Sequence, residues 1–204
     1  MGVGFDSFDW SRQSWHHNVR QSENQMNIRD ATPFDFPAIL QLNDESVHFL
    51  SPLTPGRLAF LHKQTSYHRV VESGGRVIAF LLALNQGSSY DSPNYRWFAA
   101  NYAQFLYIDR VVVASEHQGR GAGRLLYGDI FAFARHENVN YLTCEFDLEP
   151  PNEPSRRFHE GQGFREVGTQ SVAAGKKQVS LQAIAITLEM GESSQFELEC
   201  RPDA

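Results

Sequence analysis

Residues 105–134, FLYIDRVVVASEHQGRGAGRLLYGDIFAFA, constrain the fold more than any other stretch. The run from Phe105 to Val113 is rich in β-branched and aromatic residues and predicts a buried strand. Residues 114–117 make a short polar turn. Gln118, Gly119, Arg120, Gly121, Ala122, Gly123 and Arg124 then lead into an amphipathic helix, on which Leu125, Leu126, Ile130, Phe133 and Ala134 share one side. Strand, glycine-rich turn and helix start together make an anion-binding device. The first helical N–H groups have no acceptor within the helix, and the helix dipole turns its positive end toward them. Glycine lets backbone approach an anion closely and adopt φ angles that other residues avoid. A diphosphate is the natural guest. The Walker loop is excluded, because its Gly-Lys-Ser/Thr ending is absent. The dinucleotide loop is excluded too, because a turn and Gln118 separate the glycines from the strand.

Composition narrows the partners. At 204 residues and 41% apolar content, the chain can build one domain with a sizeable core. A net charge of −6 disfavours nucleic acid or an anionic membrane and suits a cationic substrate such as an amine. The two cysteines, Cys144 and Cys200, cannot make a disulfide framework, and Cys144 sits inside an apolar strand. A reducing compartment is expected. No apolar run is long enough to span a bilayer, and the N-terminus lacks the basic-then-apolar layout of a secretion signal. The expectation is a soluble, cytoplasmic protein without a metal.

Three regions divide the chain. Residues 1–25 are polar, show no sustained period, and read as an N-terminal extension outside the core. Docking of Trp10 and Trp15 is the alternative. His16 and His17 have no further ligands nearby and read as solvated. The domain occupies residues 26–190, and residues 191–204 form a polar tail.

Within the domain, residues 27–31 look like a strand. Thr32-Pro33 and Thr54-Pro55 each start a helix. Phe36, Ile39, Leu40, Leu42 and Val47 supply the apolar side of the first, and Leu58, Phe60 and Leu61 that of the second. Strands 67–72 and 77–84 flank a Ser73-Gly74-Gly75-Arg76 hairpin turn. A long connection over 85–103 holds Tyr90, Tyr95, Trp97, Phe98 and Tyr102. Further strands are expected at 140–146, 164–168 and 179–188, with Asn152 capping a helix that ends at Gly161–Gly163.

Two motifs carry a resemblance. Val113 at a strand end, then Gln118, Gly121 and Gly123, resemble motif A of the GNAT acetyltransferases, Gln/Arg-x-x-Gly-x-Gly/Ala. Asn152-x-x-Ser155-x-x-Phe158-His159-x-x-x-Gly163-Phe164 resembles motif B, Asn-x-x-Ala/Ser-x-x-Leu/Phe-Tyr-x-x-x-Gly-Phe. The resemblance implies the GNAT fold, of α/β (α+β) class. Its central sheet is mixed but mostly antiparallel, has about seven strands, is flanked by helices and is splayed after the fourth strand. It implies acetyl-coenzyme A (acetyl-CoA) as co-substrate in the splay. Val111, Val112 and Val113, residues Gln118 to Arg124, Asn152, Ser155 and His159 are then the coenzyme contacts. The backbone of Val111 and Val113 would pair with the pantetheine arm, the Val113 N–H would face the oxyanion, and the glycine turn would hold the pyrophosphate.

N-acetyl transfer needs a deprotonated amine and a proton for the departing thiolate. The candidates for this work are His159, Tyr107, Asp109 and Glu145. His159 stands where the family often has Tyr. It would donate a proton to sulfur or simply bond a neighbour. Asp109 inside an apolar strand is costly to bury without a partner or a task. A structural pair with a basic side chain from elsewhere in the fold is its alternative. Glu145 on the neighbouring strand, or an ordered water, is a further candidate base.

The implied activity is acetylation of a primary amine on a small molecule or amino acid. A protein or peptide N-acetyltransferase and a non-catalytic acyl-CoA sensor are the alternatives. In the family the first two helices cover one edge of the substrate site, which brings Asn43, Glu45, His48 and Phe49 near the acceptor. A solvated helix face is their alternative. The aromatic residues of 85–103, Tyr95 and Trp97 among them, are expected to wall the acceptor pocket, with self-packing or a homodimer contact as the alternative.

Overall fold

The computed structural model describes residues 25–48 and 50–187. Expectations for Trp10, Trp15, His16, His17, Phe49, Leu188 and Cys200 lie outside the described residues. Seven strands form one sheet in the order β1-β2-β3-β4-β5-β7-β6. Every neighbouring pair is antiparallel except β4 and β5.

The edge strand β1 (Asn27–Asp30) runs into a single 3-10 turn and then α1 (Phe36–Glu45). The Asp35 carboxylate accepts from the Thr32 N–H at 2.7 Å and pairs with Arg29 at 2.8 Å. The guanidinium holds that carboxyl down at about 2. Helix α2 (Pro55–Gln64) starts as expected, with the Thr54 hydroxyl accepting from the Arg57 N–H at 3.2 Å. Strands β2 (Tyr67–Ser73) and β3 (Arg76–Asn85) form the glycine hairpin, and both turn glycines have positive φ. Ile78 to Leu84 are buried without alternation, because helices cover both faces of this central strand. Val47, expected on the apolar side of α1, lies past the helix end and is 40% exposed.

Residues 85–103 are not one loop. Helix α3 (Pro93–Asn101) occupies half of them, and the Ser92 hydroxyl accepts from the Tyr95 N–H at its start. Tyr95 and Phe98 are buried against Phe105 and Tyr107. The Tyr95 hydroxyl donates to the Asn85 carbonyl and accepts from the Ser88 N–H, both at 2.8 Å.

Strand β4 (Phe105–Val113) precedes α4 (Ala122–His136) and β5 (Tyr141–Glu149). Helix α5 (Glu153–Gly161) and the hairpin of β6 (Arg165–Val172) and β7 (Lys177–Ala185) complete the fold. The core has two halves, one per face of the sheet. Ile39, Leu58, Leu61 and Phe98 pack on Phe80, Leu82 and Tyr107 on one side. Leu126, Ile130 and Ala134 of α4 pack on Leu81, Ala83, Leu106 and Ile108 on the other. No helix among the described residues is long and apolar enough to cross a membrane.

Candidate active site

The parallel β4–β5 pair spans only Phe105 to Tyr107 against Tyr141 to Thr143. Beyond those residues the strands diverge, and a cleft of about 530 Å³ opens between them. Ala114 donates its N–H to Ile78 at 2.8 Å. Successive residues turn their backbone groups to opposite edges of a strand. The N–H and C=O of Val113 and Val111 therefore face away from β3, into the gap. The Val113 carbonyl there accepts from Gln118 Nε2 at 3.2 Å.

The glycine turn closes one end of the cleft. Gly119 and Gly121 have φ of +73° and +101°, where a side chain would be strained. Gly121 caps α4, whose first internal bond is Leu125 N–H to the Gly121 carbonyl. Gly123 serves packing: a Cβ there would lie 3.2 Å from the Phe158 ring of α5. Asn152 caps α5 by accepting from the Ser155 N–H at 3.2 Å.

Val111, Val112, Val113, Gln118, Gly119, Gly121, Ala122, Gly123, Arg124, Asn152, Ser155 and His159 all line the cleft, together with Asp109 and Glu145. Arg120 lies in the turn but outside the lining. Tyr107 is fully buried behind the cleft wall.

His159 is 3% exposed and ringed by Tyr127, Phe146, Phe158 and Phe164. Its Nδ1 lies 2.8 Å from the Ser155 carbonyl, an acceptor only, so Nδ1 carries the proton. Its Nε2 then accepts from the Tyr127 hydroxyl at 2.6 Å. Burial lowers its pKa, partly offset by the Ser155 carbonyl. The ring is neutral and both nitrogens are engaged. Tyr127, fully buried on α4, escaped the sequence reasoning because it sits beside the expected apolar stripe.

The other end of the cleft is acidic. The β3–β4 register passes from Leu82 opposite Arg110 to Ala83 opposite Ile108, leaving Asp109 as the extra residue of a bulge. Asp109 accepts from the Tyr90 hydroxyl and, at 2.7 Å, from Arg110 Nε. Arg110 also donates to Asn43 Oδ1 at 2.6 Å, so the buried Asn43 supports the bulge. Of the α1–α2 region, Ser46 and Leu50 reach the lining, whereas Glu45 and His48 are exposed outside it. Tyr95 and Trp97 do not wall the cleft. They are held in the core and against β6, because α3 turns them inward; Tyr90 instead reaches the site through Asp109.

Glu145 accepts from the Tyr107 hydroxyl at 2.7 Å and from Asn94 Nδ2 at 2.8 Å. Burial raises its carboxyl to about 7, against those two bonds and with help from Asp109 and Asp147. Asp147 pairs with Lys177 at 2.6 Å. Cys144, on the face of β5 that packs with α4, is a buried free thiol pushed up by desolvation. Among the described residues no group of three or more His, Cys, Asp or Glu is placed to hold a metal.

No curated protein matches the chain significantly. Solved structures do match its fold. The ribosomal-protein-S18-alanine N-acetyltransferase from Escherichia coli is 15% identical, with a TM-score of 0.63, covering 83% of this chain and 99% of its own. The ribosomal-protein-alanine N-acetyltransferase from Brucella melitensis is 23% identical, with a TM-score of 0.60 over 78% and 99% of the two chains. The yncA protein from Salmonella typhimurium, solved with its cofactor acetyl-CoA, is 20% identical, with a TM-score of 0.61 over 83% and 98%. The model of the acetyltransferase (GNAT) family matches residues 29–164. With that match and the splayed seven-stranded sheet, the chain belongs to the GNAT family of acetyl-CoA-dependent acetyltransferases.

Proposed function

We propose that the protein transfers acetyl from acetyl-CoA to the primary amine of a small molecule or amino acid, with Glu145 as general base. The observation that carries this reading is a carboxyl in the cleft wall, raised to about 7, whose two hydrogen-bond donors are both neutral. A base of that strength is half ionised at neutral pH and accepts a proton readily from a nearby ammonium group. An α-amino group, with pKa about 8, is far better matched to it than an alkyl amine at about 10. This favours an amino acid or a similar α-amine as acceptor.

When bound, acetyl-CoA supplies the thioester carbon that the amine attacks. The backbone edge at Val111 and Val113, whose Val113 carbonyl is held by Gln118, suits an amide-bearing arm, and the Val113 N–H facing the gap suits a thioester carbonyl oxygen. The glycine turn, with the first N–H groups of α4, suits the diphosphate. Glu145 orders and deprotonates the amine. His159 has no proton directed into the cleft, and we assign it to holding the cleft wall with Tyr127 and Ser155.

Glu145→Gln should lower kcat/KM by about 10²- to 10⁴-fold in a thiol-release assay with alaninamide, while calorimetry shows unchanged acetyl-CoA affinity. Full activity in the variant would remove Glu145 from the mechanism. A protein N-terminus is the second reading, since two fold neighbours are named as acetyltransferases of a ribosomal-protein alanine. Faster turnover of a peptide than of alaninamide would favour it. Acetyl-CoA binding without turnover of any amine would leave a sensor.

A further inference from the structure

We propose that Asn94, carried by α3, is a positioning residue for Glu145, and that Gln170 on β6 sets which end of the Asn94 amide faces it. The inference rests on the reading of Glu145 as base. An asparagine beside a carboxylate helps or hurts depending on orientation: its nitrogen donates, whereas its oxygen would repel. Gln170 Nε2 lies 3.1 Å from Asn94 Oδ1 and occupies that oxygen. Asn94 Nδ2 is thereby left to donate to Glu145 Oε1 at 2.8 Å. Tyr107 donates to the other oxygen, Oε2, at 2.7 Å. Each carboxylate oxygen takes one neutral donor, which fixes the plane of the group and leaves a lone pair on each for a proton. A cation in Asn94's place would hold the carboxylate too strongly and make it a poor base.

The helix that brings Asn94 is itself clamped to the same edge strand. A Cβ on Gly168 would lie 3.0 Å from Trp97 Cζ2, so the ring of α3 lies directly on the β6 backbone, two residues before Gln170. Asn94 is 7% exposed, and its amide therefore has little freedom to rearrange. The same insertion sends the Tyr90 hydroxyl to Asp109. Asp109 and Glu145, two of the three acidic groups of β4 and β5 in the cleft, are thus bonded from the β3–β4 connection. The titratable and charged groups facing Glu145 are Tyr90 from the insertion, Tyr107 and Asp109 with its Arg110 from β4, Cys144 and Asp147 from β5, and Lys177 of β7 through Asp147.

The test is an NMR titration of the full chain labelled with ¹³Cδ-glutamate, with the Glu145 signal assigned through Glu145→Gln. Asn94→Leu should move the Glu145 midpoint upward by about half a unit to one unit, a three- to tenfold change in protonation. Gln170→Leu should move it the same way by less, and Tyr107→Phe calibrates the loss of one donor. The acid limb of kcat/KM with alaninamide should shift by the same amount as the titration. An unmoved midpoint in Asn94→Leu overturns the inference. If that variant does not fold, Gln170→Leu decides by the same two outcomes. The two readings fail separately. An active Glu145→Gln variant sinks the base, and an unshifted titration beside an inactive Glu145→Gln sinks only the role of Asn94.

Discussion

Single side chains in this cleft differ in what they can donate. His159 occupies the place of an expected acid, but its one proton is held by Ser155 and its lone pair faces Tyr127. His159→Gln can reproduce both bonds through its amide. The variant should keep kcat within about threefold, whereas loss of a true acid costs about 10²-fold or more. Steady-state kinetics at saturating acetyl-CoA separates the two, and a large loss would restore proton donation to His159. Asp109 shows where a buried carboxylate can find a cationic partner. The basic partner that its burial demanded is its own neighbour Arg110, brought round by the bulge. No strand pattern announces a bulge, so that pairing was invisible in the sequence.

At the scale of elements, the two motif glycines do different things. Gly121 sits at φ +101°, while a Cβ on it would meet only the Met26 methyl at an ordinary 3.7 Å. Its constraint is the backbone. Gly123 has no such φ, and its constraint is the Phe158 ring at 3.2 Å. Gly121→Ala should therefore cost about 1–2 kcal/mol that no neighbour's replacement recovers. Gly123→Ala should be rescued by Phe158→Leu. Denaturant unfolding of the two singles and the double measures this; equal rescue of both would refute the distinction. The motif A strand, turn and helix were legible because periodicity and glycine spacing agree locally. The Thr54-Pro55 helix start was legible from its cap, whereas Thr32-Pro33 starts a 3-10 turn without a cap bond to the Thr32 side chain and α1 begins only at Phe36. Helix α3 opens with the same grammar at Ser92-Pro93, yet the aromatic, punctuated run around it reads as a loop. Its aromatic residues pack by tertiary contact with Phe105 and Tyr107 rather than at a clear helical period. Asn94 and Tyr127 became visible only once distant segments met.

For the molecule as a whole, two buried groups pull stability in opposite directions with pH. Burial lowers His68 to about 4, with the nearby His62 adding to the effect. The unfolded chain then binds more protons than the native one below about pH 6.5, so stability falls from there toward pH 4. The possible loss is about 3 kcal/mol. Glu145, raised to about 7, does the reverse. Its native form binds the extra proton, so its contribution is present below about pH 4.5 and lost by pH 7, again by about 3 kcal/mol. The two oppose each other between pH 4.5 and 6.5, and His159, also lowered by burial, adds to the side of His68. His68→Phe should expose a stability that declines as pH rises. Glu145→Gln should expose one that increases. Melting temperatures across that window test both slopes, and parallel curves for parent and variants would contradict the pairing. The fold was readable at this scale through the resemblance that the two motifs carry, which implied the splayed mixed sheet; element order alone does not place β7 between β5 and β6.

That parallel pair is joined over only three residues on each strand. The sheet is thus two antiparallel leaves, β1 to β4 and β5 to β7, meeting at a narrow seam. Each leaf keeps its own ladder when the seam opens, so slow amide exchange should report two protection levels rather than one. A coenzyme that lies along β4 as proposed would stitch the leaves together, and saturating acetyl-CoA should then bring the two levels toward a common, higher one.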